Sequence, residues 1–130
     1  MGGGEAVSVV AGIGCRAGTP SEAIIAVVRD ACARAGRDPA TLAAPAFKAA
    51  EAGLVQAAQR LGMTLHWVSG ADLAAAQPSC VTLSAAAGRA TGVASVAEGC
   101  ALAAAGPHAT LLLPRIAHAA ATCALAESRA

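Results

Sequence analysis

The apolar residues of this chain fall in short blocks, and the first, Val7 to Ile13, lacks the strict alternation of a half-buried strand. Such a block predicts a strand covered on both faces. It runs into Gly12-Ile-Gly-Cys-Arg-Ala-Gly-Thr19, where Gly12, Gly14 and Gly18 require either positive φ or close approach by another segment. Thr19, Pro20 and Glu22 then spell a helix start: a threonine N-cap, a proline at the first helical position and a glutamate able to reach back to the cap. From Pro20 to Ala35 the spacing puts Ile24, Val28, Ala31, Cys32 and Ala35 on one face. Glu22, Arg29, Asp30, Arg34 and Arg37 take the other, and Gly36 is the stop.

The same alternation of strand and helix continues. Thr41 to Phe47 is extended, and Ala50 to Leu61 forms a second helix closed by Gly62. Met63 to Val68 is a strand, and Ser69 opens a brief helix that ends before Pro78. Val81 to Ser84 has strand character, and the small, glycine-containing Ala85 to Ala94 reads as a loop. Ser95 begins a third long helix, with Glu98 completing a capping box and Gly106-Pro107 stopping it. Ala109 to Leu113 is unalternating, as in a central strand, with Ala119 to Ala126 pairing beside it. The expected architecture is one three-layer α/β/α domain over residues 1–130, with residues 1–5 a flexible N-terminus. Its sheet is mostly parallel or mixed, of about five strands.

Composition narrows the function classes. Nine Lys and Arg against eight Asp and Glu leave a net charge of +1, so no overall field draws nucleic acid or an anionic membrane. No apolar run approaches the roughly 18 residues of a spanning helix, and Met1-Gly-Gly-Gly-Glu5 is no secretory signal, which points to the cytoplasm. The hydrophobic fraction of 56% rests on alanine, with one Phe and one Trp. The five cysteines, Cys15, Cys32, Cys80, Cys100 and Cys123, include no C-x-x-C pair, so neither a disulfide framework nor a zinc site follows. Cys32 and Cys100 fit apolar helix faces. Cys15 lies beside Arg16 near a helix N-terminus, where a thiolate is favoured, but no histidine follows locally to act as its base.

The glycine turn fails the known nucleotide patterns. Its spacing is G-x-G-x-x-x-G, no acidic residue closes a second strand about 20 residues on, and no lysine precedes Thr19 as in a P-loop. Gly12-Ile-Gly-Cys-Arg-Ala-Gly-Thr-Pro-Ser-Glu22 instead resembles the opening of the family formed by CobE and the C-terminal domain of CbiG, from cobalamin (vitamin B12) biosynthesis. Lys48-Ala-Ala-Glu51-Ala-Gly53-Leu54 is similar to that family's K-x-x-E-x-G-L. Thr91-Gly-Val-Ala-Ser95-Val-Ala-Glu98-Gly-Cys-Ala-Leu102 is similar to its G-V-x-S-V-A-E-x-x-A. The additional N-terminal domains of CbiG are not represented, so the size is more like CobE.

The resemblance implies a partner, a corrin or precorrin intermediate, and other cobalamin-pathway enzymes as further partners; no cofactor is expected, and the residue spacing predicts no metal site. A precorrin is a flat apolar ring fringed with carboxylates, which calls for backbone N–H groups, guanidinium forks and an apolar floor. The turns Gly12–Thr19 and Gly88–Ser95 both precede helix starts and can face one crevice at the carboxyl ends of strands. Candidate ligand-binding residues are Gly14, Cys15, Arg16, Gly18, Thr19, Lys48, Arg89, Thr91 and Ser95, with Arg115 as a further cation. Glu98 and Glu51 are the candidate catalytic carboxylates for the alternative function, a hydrolase like CbiG that opens a ring lactone. Glu98 is the lone charge between Arg89 and Arg115, and a capping box with Ser95 also accounts for it; Glu51 can instead pair with Lys48 three residues away. His66, His108 and His118 share no metal-ligand spacing.

Overall fold

The computed structural model describes residues 8–80, 96–118 and 120–128. Strand β1 (Val9–Cys15) leads through the glycine turn to helix α1 (Ser21–Ala35), then to β2 (Thr41–Pro45), α2 (Ala52–Leu61), β3 (Thr64–Val68) and α3 (Gly70–Ala76). Among the described residues these are followed by α4 (Val96–Ala105), β4 (Thr110–His118) and β5 (Ala121–Glu127). The sheet order is β3-β2-β1-β5-β4. Strands β1, β2 and β3 are parallel, with Val10 opposite Thr41 and Thr41 opposite Thr64. Strand β5 runs antiparallel to both β1 and β4, making the sheet mixed.

The period of two along β1 divides the core. Val9, Ala11 and Ile13 pack with Ile24, Val28 and Ala31 of α1 and Leu54 and Ala57 of α2. Val10 turns to the opposite face, where it joins Leu73 of α3 and Cys100 of α4. Both faces are therefore covered, which is why the β1 block is apolar without alternation. Helix α4 crosses β1 so closely that a Cβ on Gly12 would stand 2.0 Å from the carbonyl oxygen of Ala97 and 2.5 Å from the amide nitrogen of Ala101. The glycine is there for helix–strand contact, one of the two reasons glycine is used in such a turn.

Several local expectations are corrected. Pro20, not Thr19, is the N-cap of α1, in extended conformation and without a side-chain cap. The Thr19 hydroxyl donates to the Arg16 carbonyl oxygen at 2.7 Å, closing the turn before the helix, while the Glu22 carboxylate accepts from Arg60 at 3.3 Å. Helix α2 begins at Ala52, after a 3₁₀ turn over Ala46–Lys48, so Lys48 and Glu51 do not share a helical face. The stretch read as a central strand belongs to β4, the nine-residue edge of the sheet; β5 lies inside it, and the central place falls to β1. Ser69 does cap α3, accepting from the Asp72 N–H at 3.1 Å. The strand and loop expected between Val81 and Ala94, and the cap at Ser95, lie outside the described residues. Among the described residues no helix is long and apolar enough to cross a membrane.

Candidate functional site

The parallel strands β1 and β2 end side by side, and their carboxyl ends carry the two sequence segments singled out for binding. From β1 come Gly14, Cys15, Arg16, Gly18 and Thr19; from the residues after β2 come Lys48 and Glu51. The two segments are tied together directly. The Gly18 N–H donates to the Glu51 Oε1 at 2.8 Å, and a Cβ on Gly53 would stand 2.2 Å from the Thr19 carbonyl oxygen. Glu51 is the N-cap residue of α2, yet its carboxylate serves the neighbouring turn and makes no side-chain cap.

The turn has a fixed backbone. The Arg16 N–H donates to the Ala120 carbonyl oxygen at 3.1 Å, and the Arg16 carbonyl accepts from the Thr19 N–H at 3.2 Å. Gly18 completes the turn at φ 78°. Gly14 is overlain by Thr122 of β5, whose hydroxyl donates to its carbonyl oxygen at 3.3 Å, and by Val96 at the start of α4. The N-terminus of α4 therefore sits at this same end of the sheet. Whether the second glycine turn joins the first there falls on Arg89, Thr91 and Ser95, which lie outside the described residues.

The electrostatics around Cys15 correct one expectation. Burial pushes its thiol up, against the opposing pull of the Lys48 charge, and the Glu51 carboxylate adds to the rise. Cys15 is thus a half-buried thiol between a cation and an anion, and no thiolate is favoured there. Arg16 is exposed and Lys48 half-buried. Arg34, Arg37 and Arg60 are each paired with a carboxylate, whereas neither Arg16 nor Lys48 has an ion-pair partner among the described residues.

Glu98 lies apart from this turn. Its side chain is wholly buried (0% exposed), and its Oε2 accepts from the backbone N–H of Arg115 at 2.9 Å. Arg115 falls in the irregular part of β4, where the register shifts between Leu113 and Ile116, so the carboxylate satisfies a strand N–H that the ladder leaves over. The Arg115 guanidinium is exposed. The histidines are dispersed: His66 is exposed on edge strand β3, His108 is exposed beyond α4, and His118 contacts Asp30 at 2.6 Å. Among the described residues no group of His, Cys, Asp or Glu is placed to hold a metal ion.

One residue at this end escaped the sequence reading. Phe47, the chain's one phenylalanine, is 58% exposed in the 3₁₀ turn beside Lys48. The signal was the Phe-Lys pair just after a strand that ends in proline, which pattern reading assigned to the strand itself. Two surface depressions lie elsewhere. A groove of about 430 Å³ between α3 and the end of α4 is lined by small and apolar residues, alanines among them, with Asp72 as the charged one among the described residues; the other, of about 330 Å³, sits at the amino ends of the parallel strands beside His66. Neither offers a lysine or arginine among its described lining residues.

Comparison with known proteins agrees with this architecture. Residues 9–126 match the family described as cobalamin synthesis G C-terminus. Protein CobE from Sinorhizobium sp is 36% identical over 126 residues, covering 91% of this chain and 79% of that protein. The crystal structure of CobE, a protein from the cobalamin biosynthetic pathway, superposes with a TM-score of 0.88 at 35% identity, covering 95% of this chain and 92% of the other. Cobalamin biosynthesis protein chiG from Agrobacterium tumefaciens gives 0.77 at 40% identity, over 94% and 99% of the two chains. With the glycine turn, the K-x-x-E segment and the α4 motif all inside the matched region, the chain belongs to the cobalamin synthesis G C-terminus family and is a cobalamin biosynthesis protein.

Proposed function

We propose that this protein binds a carboxylate-rich corrin or precorrin intermediate, as a carrier or accessory protein, over the Gly14–Thr19 turn. One observation carries the reading: the cations Arg16 and Lys48 flank a turn at the carboxyl ends of two parallel strands without carboxylate partners among the described residues. A ligand's carboxylates would supply the missing partners, each charge-assisted contact contributing about 1.5–3 kcal/mol. Glu51 leaves a local charge of one net positive, and its Oε1 is already engaged by the Gly18 N–H. The groove between α3 and α4 suits a polycarboxylate less well, because Asp72, the charged residue among its described lining residues, has the ligand's own sign.

A hydrolase of the CbiG kind is the second reading. It would fall on Glu51, whose half-buried carboxylate stands at the same turn, sooner than on Glu98, which is sealed in the core against β4. Titrating the protein with hydrogenobyrinic acid and with precorrin-type ligands, followed by visible absorbance, separates the two. Retention of an unchanged ligand, with affinity falling as salt rises, supports the carrier; conversion supports the hydrolase. Absence of any spectral change at tens of micromolar, about −6 kcal/mol, would reject ligand binding in both forms.

A further inference from the structure

We infer that Phe47 is the ring contact of this site, the group against which a flat macrocycle stacks while Arg16 and Lys48 hold its carboxylates. The inference rests on the tetrapyrrole-binding reading above. Among the described residues two large hydrophobic side chains are exposed, Phe47 at 58% and Val55 at 39%. Single exposed apolar residues need no explanation, but these two bracket Glu51, four positions before it and four after. Val55 is one helical turn beyond the N-cap position and so lies on the same side of α2 as Glu51. Phe47 and Val55 both belong to the segment that follows β2, the one that carries Lys48, a cation without an ion-pair partner among the described residues.

The backbone that presents the ring is held in place. Pro45 is buried and extended at φ −70°, ψ 142°, and the following turn is closed by the Ala49 N–H donating to the Ala46 carbonyl oxygen at 3.1 Å. The Glu51 N–H donates to the Lys48 carbonyl oxygen at 3.0 Å, and the Glu51 carboxylate then joins this turn to Gly18. Ring, cation and glycine turn are therefore parts of one hydrogen-bonded unit. A macrocycle with carboxylates at its rim matches that arrangement: an aromatic face takes its apolar plane, and cations beside the face take its edge. A non-planar polycarboxylate would use only the cations.

The test uses the full chain and hydrogenobyrinic acid as the macrocyclic probe, with citrate as a polycarboxylate competitor that has no ring. Phe47→Ala should weaken hydrogenobyrinic acid binding about tenfold, the scale of one stacked aromatic group, with an unchanged melting temperature because the side chain is exposed. Phe47→Trp should stay within about threefold of the parent, and Phe47→Leu should fall between. The citrate dissociation constant obtained from the competition should be the same in all variants. If the parent binds the ring and Phe47→Ala binds it equally well, the ring contact is wrong while the binding reading stands. If the parent binds nothing, both fall.

Discussion

The carbonyl oxygen of Thr19 occupies the space that a Cβ on Gly53 would need, with 2.2 Å between them. The first turn of α2 therefore rests directly on the end of the glycine turn, and the Glu51 carboxylate, two residues earlier, takes the Gly18 N–H at 2.8 Å from the same side. Contact and hydrogen bond together make the two segments one rigid element. The cations placed on it are positioned by backbone and not by their own flexible side chains.

Gly53→Ala should destabilise the protein by about 2 kcal/mol or more, although alanine in a helix is ordinarily better than glycine by about 1 kcal/mol. The obstacle is a backbone oxygen, which cannot swing aside. Gly70→Ala, at a helical position with nothing within 4 Å of the added carbon, is the control and should be neutral or mildly stabilising. Urea denaturation of both variants checks the sign; equal behaviour would show that α2 does not rest on the turn.

Glu51→Gln keeps an oxygen for the Gly18 N–H and should hold stability within about 0.5 kcal/mol of the parent, whereas Glu51→Ala should lose about 1 kcal/mol. Only a basic role for Glu51 would make the glutamine variant bind a corrinoid normally yet fail to convert it. Chemical denaturation alongside absorbance-monitored turnover reads both quantities.

Glu98→Ala should cost about 2–4 kcal/mol, because it opens a cavity and strips the acceptor from the Arg115 N–H. Glu98→Gln, which retains an oxygen, should cost less. A Glu98→Ala protein that melts like the parent would show that the bond to β4 does not hold the helix.

Arg16→Ala should leave the melting temperature nearly unchanged and weaken carboxylate-ligand binding by about 1.5–3 kcal/mol. Its backbone groups, which the substitution preserves, make the turn's bonds to Ala120 and Thr19. Isothermal titration beside a thermal melt distinguishes the outcomes, and unfolding with normal binding per folded molecule would move the site elsewhere.

Stability should decline as pH rises above about 9. Burial, aided by the Glu98 charge, pushes the Cys80 thiol up to about 11, and burial, with a smaller contribution from Cys80, pushes Cys100 up to about 12. Burial raises Cys123 as well. Below the ordinary thiol pKa the folded and unfolded chains hold these protons alike. Above it the unfolded chain releases them first, so the folded chain binds more protons and its advantage shrinks until the folded pKa is passed. Thermal melts in reductant from pH 7 to 11 should be level at first and then fall, and Cys100→Ala should flatten the fall.

Local chemistry made much of this fold legible. Apolar blocks of strand length, the amphipathic period from Pro20 to Ala35, and Gly36 and Gly62 as left-handed stops are all properties of neighbouring residues, and each reappears in the structure. The cap of α1 was misplaced because threonine and proline both suit a helix start. The Thr19 hydroxyl found its acceptor in the Arg16 carbonyl, a contest between local bonds that pattern cannot decide.

What the sequence by itself determined was the α/β alternation and the family, since both rest on short ordered motifs. Only the tertiary structure decided which strand lies at the edge, that Gly12 serves α4, that Glu51 bonds Gly18 and that Glu98 bonds β4. The physical reason is separation along the chain. Strand order and partner choice depend on surfaces that meet only when the core closes, and the residues concerned carry no local mark of their partners. Phe47 shows the limit best: as a residue type it belongs in the core, and its exposure beside Lys48 follows from where β2 ends and the 3₁₀ turn begins.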